Sequence, residues 1–298
     1  MSRFKEMVRK IAPASSKAVH RRFDLIEEKI NELQKEISPV ITQNSTSLNL
    51  QSESDMLYLM CKANEVMDIH KNTFSEYKNK FVGKKVVLVG SGPTLNFYKP
   101  ISDAIHIGVN GSYKKQGLHL DYLFIQDFDG EGKNRVFDVD EIKELDCKKF
   151  VGRYIKCIAN KNMHATEKVI SYIGAKSYFV YDYYPGRIKY DIPINMEYYP
   201  VTDNGSTVFT ALHFALYGHP AEIYVVGCDC SYGNGMHFFS GEGLPMTIDL
   251  VKKNWEIMKN HISIFYDDIK VISVNPIGLK GLFEDFYTEQ FLESNMSN

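Results

Sequence analysis

The chain has 298 residues, 44% hydrophobic and 24% charged, which is typical of a folded globular protein with a sizeable core. Its formal net charge of −2 argues against a nucleic-acid-binding protein held by bulk positive charge. The five cysteines are odd in number and show no zinc-site spacing, which predicts reduced thiols in a cytoplasmic protein. The sequence shows no apolar run of membrane-spanning length and no signal-peptide core.

Residues 1–80 differ in pattern from the rest and predict a helical extension ahead of a domain at 81–298. The basic, amphipathic first turns are typical of a helix at an anionic membrane surface, or else of a solvated terminus. An apolar seam with spacings of 3 and 4 then favours a short coiled coil and a homo-oligomer, or packing on the chain's own body. The seam consists of Phe23, Ile26, Ile30, Leu33 and Ile37. Residues 42–54 form a predicted polar linker, and a helix is predicted over 55–77.

The central motif is an aliphatic strand, Val86–Val89, that ends in the turn Gly90-Ser91-Gly92-Pro93-Thr94. An unbroken apolar run predicts a strand buried on both faces, as in a parallel sheet. Two glycines permit a sharp turn and a close approach by a ligand, and proline suits the first turn of a following helix. The turn either presents backbone N–H groups to a phosphate or is a tight connection without a ligand. It matches neither GxGxxG nor a Walker A loop.

After this turn, predicted strands and helices alternate, which indicates an α/β fold with a mostly parallel sheet and helices on both faces. The predicted strands cover residues 86–89, 104–110, 120–126, 150–155, 177–181, 221–227 and 271–274. The predicted helices cover 205–217, 248–264 and a last segment from Asn275-Pro276 to about Leu292.

Polar residues stand where several of these strands end, and in such sheets ligands bind outside the carboxyl ends of the strands. A single polar residue at a strand end is usually a cap or a turn residue. Several together favour one polar cleft. They are Ser91, Asn110, Asp127, Asp229 and Asn275, with the helix start Asn204-Gly205-Ser206 facing the same crevice.

A glycine-rich loop follows Asp229 and contains His237, the best-placed of nine histidines for a general base. Asp127 and Asp129 form a spaced acidic pair that is able to hold a divalent cation with substrate phosphates, although Asp127 alone is as well explained as a turn cap.

Taken in order, these motifs resemble those of bacterial family 42 sialyltransferases and of the MptE-like family, which includes 6-hydroxymethylpterin pyrophosphokinases and motility-accessory-factor glycosyltransferases. The resemblance covers about residues 84–290. It lies in Gly90–Leu95 (G-x-G-P-S-L), Val109-Asn110, Asn204–Ser206 with the helix after it, Glu222–Asp229 (E-I-Y-L-S-G-I-D) and Val274–Pro276. No arginine precedes Asn204, unlike in the sialyltransferases, and this departure puts CMP-sialic acid itself in doubt.

The resemblance implies a Rossmann-like, GT-A-like catalytic domain that transfers a sugar from a CMP-activated, sialic-acid-like or Kdo-like donor to a surface-glycan or lipid-linked acceptor, without a required cofactor. In this interpretation His237 is the general base, and Tyr224 or Tyr232 hydrogen-bonds the departing phosphate. The residues expected to bind the donor are Gly90, Ser91, Gly92, Pro93, Thr94, Asn110, Asp127, Asn204, Gly205, Ser206, Asp229 and Asn275.

Two alternatives stay open at this point. The first is an MptE-like pyrophosphokinase, in which Asp127 and Asp229 carry Mg²⁺. The second is a non-catalytic nucleotide-binding scaffold in polysaccharide assembly. The predicted location is the cytoplasm of a bacterial cell, either free or in peripheral contact with the inner face of the membrane through the N-terminal helix.

Overall fold

The structure is a computed structural model, and it describes residues 64–126, 138–156, 165–181, 194–202, 205–231 and 248–296. The chain divides into two compact units, Met1–Cys61 and Lys62–Asn298, and every described residue belongs to the second. The predicted basic helix, coiled-coil seam and linker therefore lie outside the described residues. Among the described helices, none has the combination of length and apolar character needed to cross a membrane.

One sheet of parallel strands dominates the second unit. The strands are β1 (Lys85–Val89), β2 (Ala104–Val109), β3 (Tyr122–Ile125), β4 (Lys148–Lys156), β5 (Lys176–Tyr181), β6 (Val201–Thr202), β7 (Glu222–Val226), β8 (Lys270–Val274) and β9 (Glu284–Phe286). Within the described residues they follow the order β6-β5-β4-β3-β2-β1-β7-β8-β9, and each pairs with its neighbours in parallel. The α/β class and the parallel sheet predicted from the alternating pattern are confirmed.

Helices cover both faces of the sheet, as predicted. They are α1 (residues 64–74), α2 (Val139–Glu144), α3 (Glu167–Tyr172), α4 (Thr207–Gly218), α5 (Ile248–Phe265) and α6 (Glu289–Met296). The central strand shows why two layers are needed, because its side chains alternate between the faces. Val86 and Leu88 join the core that contains residues of α4 and α5, whereas Val87 and Val89 join the core that contains residues of α2 and α3.

Helix α4 lies in the middle of the molecule, and all of its residues are buried. Its sequence is apolar around the whole circumference, which is the pattern of a helix enclosed on every side. Phe209 packs against Trp255 of α5 with ring centroids 5.0 Å apart, and Phe214 packs against Phe74 of α1 at 6.1 Å. Aromatic packing in the core therefore holds both halves of α4.

The compact unit with the sheet begins at Lys62, earlier than the predicted boundary after residue 80. Phe74 ends α1, Tyr77 lies in the short 3₁₀ helix Ser75–Tyr77, and Phe81 lies in the turns that follow. Each is at most 1% exposed and belongs to the core between α4 and the sheet. Through these three buried aromatic side chains, the segment belongs to the core of the α/β fold.

The prediction of one helix from Asn275-Pro276 to about Leu292 is wrong. Turns follow β8, then the edge strand β9 pairs with it, and α6 begins only at Glu289. Gly278 lies against the loop after β7, because its N–H donates to Asp229 O at 2.7 Å and a Cβ atom there would overlap the carbonyl oxygen of Cys230. This segment is shaped by its contact with the loop after β7, which local sequence pattern does not reveal.

Candidate functional site

The strand order reverses between β1 and β7, so the connections from these two neighbouring strands leave in opposite directions. In open α/β sheets such a switch point leaves a crevice outside the carboxyl ends of the strands, where ligands bind. Here β1 ends at Val89 and β7 at Val226, in register with each other. The two glycine-containing loops singled out by the sequence, which begin at Gly90 and Gly227, therefore meet at the switch point.

The two loops touch through their main chains. Gly90 N–H donates to Val226 O at 2.8 Å, and Gly92 N–H donates to Gly227 O at 2.7 Å. A Cβ atom on Gly92 would lie 2.7 Å from both Gly227 O and Asp229 Oδ2, and one on Gly227 (φ +64°) would lie 2.8 Å from Gly90 O. The glycines are thus required by the close approach of one loop to the other, whether or not a ligand is bound.

Asp229 fastens the loop after β7 to the turn after β1. Its Oδ2 accepts from Thr94 N–H at 2.8 Å, and its Oδ1 accepts from the Thr94 hydroxyl. The side chain is 8% exposed, and burial raises the pKa of the carboxyl group. Both carboxylate oxygens are therefore committed to Thr94 and to the shape of the crevice.

These contacts bear on the predicted phosphate-binding turn. The N–H groups of Gly90, Gly92 and Thr94 all donate within the protein. Because those three N–H groups are already engaged, a phosphate at this turn would contact the half-buried Ser91 and Pro93. The absence of side chains at the two glycines would give it room to approach the main chain.

The two cysteines beside Asp229 are free thiols. Burial raises the pKa of Cys228 well above its usual value and raises the pKa of Cys230 to about 12. Because the thiolate is the nucleophilic form, neither residue is suited to attack a substrate at neutral pH.

On the other side of the crevice, side-chain hydrogen bonds join the ends of β2 and β3 to the start of α4. Asn110 follows β2 with φ +44° and accepts from Gln126 N–H at 3.0 Å. The Asn110 amide donates to the Thr207 hydroxyl at 3.1 Å, and that hydroxyl donates to Gln126 Oε1 at 3.1 Å. The structure thus brings Asn110 and the start of α4 together, as the sequence analysis expected of the cleft.

The start of α4 is the described feature best suited to an anion. Gly205 is exposed with φ +79°, and Ser206 stands at the N-cap position without a side-chain cap hydrogen bond. A helix with 12 residues presents N–H groups and the positive end of its dipole at this point.

Two predicted residues are directed elsewhere. Asn275 is 1% exposed with φ +51°, and both ends of its amide bond Thr288, with Thr288 N–H donating at 2.8 Å and the amide donating to the hydroxyl at 3.0 Å. The Tyr224 hydroxyl donates to Glu222 at 2.8 Å, toward the amino end of β7 and away from the crevice. Neither side chain is arranged to meet a ligand at the switch point.

Four further predicted residues lie outside the described residues: Asp127, Asn204, Tyr232 and His237. Their roles stay predictions. In the ranges that the structure does describe, no group of three or more His, Cys, Asp and Glu side chains could hold a metal ion.

Sequence reasoning missed three residues of the site: Gln126, Thr207 and Gly278. Gln126 carried a usable signal, because it follows the apolar strand Leu123–Ile125 directly and so falls at a carboxyl edge. Thr207 and Gly278 look like ordinary helix and turn residues, and only their distant partners give them a role.

No protein-family profile matches the chain, and no curated protein is similar to it in sequence. Among the solved structures that resemble it at low identity are two glycosyltransferases. The MAf glycosyltransferase from Magnetospirillum magneticum AMB-1 is 14% identical with a TM-score of 0.42, over 82% of this chain and 44% of that protein. The sialyltransferase CstII from Campylobacter jejuni, solved with a substrate analogue, CMP-3FNeuAc, is 11% identical with a TM-score of 0.38, over 72% of this chain and 100% of that one. This chain thus spans 44% of the length of the Magnetospirillum protein.

Proposed function

We propose that the chain is a glycosyltransferase that binds a nucleotide-activated sugar at the crevice between β1 and β7. The observation that carries the proposal is the meeting of two glycine-containing loops at the switch point of a parallel sheet. The start of α4, where Ser206 makes no side-chain cap hydrogen bond, is joined to the ends of β2 and β3 by side-chain hydrogen bonds. Such a site offers a nucleotide a shaped main-chain surface and a helix N-terminus for its phosphate. The motif resemblance favours a CMP-linked acid sugar as the donor.

Within this proposal each element has a task. The Gly90–Thr94 turn, held by Asp229, forms the floor of the crevice by shape. Gly205 and Ser206 at the start of α4 bind the phosphate of the nucleotide through backbone N–H groups. Asn110, half-buried at the end of β2, orients the donor.

The chemical step follows from the same assignment. His237 takes the proton of an acceptor hydroxyl while the hydroxyl oxygen forms a bond to the anomeric carbon of the donor sugar. The bond from that carbon to the phosphate oxygen breaks at the same time and releases CMP. General-base assistance of this kind contributes about 10²–10⁴-fold to the rate. The assignment of His237 rests on its place in the loop after Asp229, and Tyr232 in that loop is the proposed partner of the departing phosphate.

The pyrophosphokinase alternative needs Asp229 as a Mg²⁺ ligand. Asp229 is 8% exposed and each of its carboxylate oxygens accepts a hydrogen bond from Thr94, so a metal would have to reach a buried carboxyl group that is already hydrogen-bonded. Asp127, the second ligand in that hypothesis, lies outside the described residues. We therefore retain this activity, and the non-catalytic scaffold, as outcomes that an experiment separates.

A thermal-shift panel with CMP, UDP, GDP, ADP and their sugars, run with and without EDTA, tests the proposal. A ligand at about 100 times its Kd stabilises the folded protein by about 2.7 kcal/mol. We expect stabilisation of this size from CMP and from a CMP-sugar, also when EDTA has removed divalent cations. With ATP added to the panel, stabilisation by ATP and Mg²⁺ alone would instead favour the kinase. Binding of CMP without turnover of any CMP-sugar in a separate activity assay would favour the scaffold.

His237→Ala then tests the mechanism. We expect turnover to fall by about 10²–10⁴-fold with an unchanged Kd for CMP, because the base acts on the acceptor and not on the nucleotide. His119→Ala, a change outside the proposed site, serves as the control. Near-normal turnover in the His237 variant would remove this residue from the mechanism.

The acceptor and the location follow from the N-terminal 80 residues. We place a lipid-linked or surface glycan beside the membrane, where the basic helix and the apolar seam would gather several copies of the enzyme. Deletion of residues 1–40 should give monomers that keep activity on soluble acceptors and no longer bind anionic vesicles. An unchanged oligomeric state by sedimentation would contradict this part.

A further inference from the structure

Gln126 is a buried polar residue at the end of β3 whose side-chain amide bonds three hydroxyl groups. The side chain is 0% exposed. Its Nε2 donates to the Tyr178 hydroxyl and to the Thr210 hydroxyl, both at 2.9 Å, while its Oε1 accepts from Thr207. One amide group therefore connects β3 to β5 and to two positions of α4.

Gln126 and Thr207 form a ring of hydrogen bonds with Asn110. Gln126 N–H donates to Asn110 Oδ1, the Asn110 amide donates to the Thr207 hydroxyl, and that hydroxyl donates to Gln126 Oε1. Each contact is between 3.0 and 3.1 Å, the normal range for a protein hydrogen bond. We call Asn110, Gln126 and Thr207 the strand-end ring.

The ring runs from the interior to the surface. Gln126 and Thr210 are 0% exposed and Thr207 is 4% exposed, whereas Asn110 is half-buried at the carboxyl edge of the sheet. Removal of an interior member would leave buried polar atoms without partners, which costs more than the lost bond itself. The buried part of the network therefore resists the loss of a member, and Asn110 is bonded to it through Gln126 and Thr207.

Asn110 needs this support, because its backbone has φ +44°. Asparagine tolerates the left-handed region, yet without tertiary contacts a residue there readily moves to an extended or right-handed conformation. The bonds from Gln126 N–H and to Thr207 hold both ends of the Asn110 amide.

We infer that Gln126 and Thr207 are positioning residues, which hold Asn110 and the first turn of α4 in one fixed arrangement for the nucleotide. The inference rests on the proposed function, since the ligand it serves is the nucleotide of that proposal. Neither residue touches the ligand. They act by keeping the donor-orienting amide and the phosphate-binding helix start at a constant separation, which lowers the conformational cost of binding.

Helix α4 supplies a matched pair of variants. Thr207→Val and Thr210→Val each replace a hydroxyl that bonds Gln126 with a methyl group of similar size, on the same buried helix. Only the Thr207 hydroxyl also bonds Asn110. The two variants should therefore lose similar stability and differ in their effect on Asn110, while Thr207→Ser keeps the hydroxyl and serves as the rescue.

The first readout is the Kd for CMP, measured by calorimetry on the full chain. We expect Thr207→Val to weaken CMP binding about five- to tenfold, the equivalent of one buried hydrogen bond. Thr210→Val and Thr207→Ser should stay within about twofold of the unchanged protein, because both leave the bond between residue 207 and Asn110 in place. Equal weakening by the two valine variants would overturn the inference.

The second readout, hydrogen exchange of the Gln126 backbone amide, does not need a nucleotide. This N–H donates to Asn110, so it reports whether Asn110 stays in place. Thr207→Val should speed its exchange about five- to tenfold relative to Thr210→Val. No difference would refute the ring, and faster exchange with unchanged CMP affinity would refute its role in binding.

The two proposals fail in distinguishable ways. If the unchanged protein binds no nucleotide, the proposed function falls, while the exchange comparison still decides whether the ring holds Asn110. If Thr207→Val does not fold, Thr207→Ala and Thr210→Ala remove the same two hydroxyls with a residue that favours helices, and the same comparison applies.

Discussion

The two sides of the crevice are built by different means. The loops after β1 and β7 meet main chain to main chain, through glycines that allow no side chain between them. The ends of β2 and β3 are joined to α4 by side chains, through the strand-end ring. The first side is sensitive to any added atom and the second to any lost hydrogen bond. Substitutions of opposite kinds therefore test them.

The largest effect is expected from Gly90→Ala, which tests the main-chain side. A Cβ atom there would lie 2.8 Å from Cys228 Sγ and closer still to Gly227 O. Since these groups belong to a buried loop, the backbone must move, and we expect a loss of about 3 kcal/mol in the free energy of unfolding.

Gly117→Ala is the control for this change. Gly117 has φ +73° and no atom within 4 Å of an added Cβ, so only its conformation resists the substitution. That cost is about 1 kcal/mol. Equal losses in urea unfolding of the two variants would show that the loops after β1 and β7 are not tightly packed.

The next effect is a loss of stability in acid. It tests the side-chain side of the crevice through β5, whose Tyr178 accepts a hydrogen bond from Gln126. His70 lies behind this strand, where its Nε2 accepts from Phe179 N–H at 2.7 Å and its Nδ1–H donates to Met196 O at 2.8 Å. Burial lowers the pKa of His70 to about 4. Between this value and its ordinary pKa of 6.5, the unfolded chain binds a proton that the folded chain does not. Stability therefore falls as the pH falls through this range.

From this difference we expect a loss of about 2 kcal/mol between about pH 7 and pH 5 from His70 alone. His213, whose pKa burial lowers to about 3, adds its own loss in both proteins of the comparison. His70→Gln keeps one donor and one acceptor without a titration, so the difference between its urea curves and those of the unchanged protein isolates His70. Parallel pH dependences would contradict the assignment.

The smallest loss in the free energy of unfolding is expected from Thr94→Val. This variant measures how much the main-chain side of the crevice also depends on a side-chain hydrogen bond. The change removes the hydroxyl that donates to Asp229 Oδ1 and keeps the N–H that donates to Oδ2. One buried acceptor loses its partner, at a cost of about 1 to 2 kcal/mol.

Thr94→Ser keeps the hydroxyl and should stay within about 0.5 kcal/mol of the unchanged protein. A loss from Thr94→Val as large as that from Gly90→Ala would make the carboxylate, and not glycine packing, the main support of this side. Both variants are measured by the same urea unfolding.

Local sequence was sufficient for the framework of this protein. The aliphatic run of β1, the alternation of strands with helices, and the glycines after β1 and β7 were all legible, because a doubly covered parallel sheet needs uninterrupted apolar strands and a tight turn needs glycine. The edge strand β9 and the short helices α2 and α3 were not predicted, because three to six residues are too few to show a hydrophobic periodicity.

Tertiary structure decided which residues cooperate. Gln126 and Thr207 are 81 positions apart, and Thr94 and Asp229 are 135 apart, so nothing local predicts either contact. Two residues that the sequence assigned to the site bond other partners. The amide of Asn275 holds Thr288, and Tyr224 faces the amino end of its strand. A pattern of residues states which groups a segment carries, whereas their partners depend on how the strands are ordered and how closely the loops between them approach.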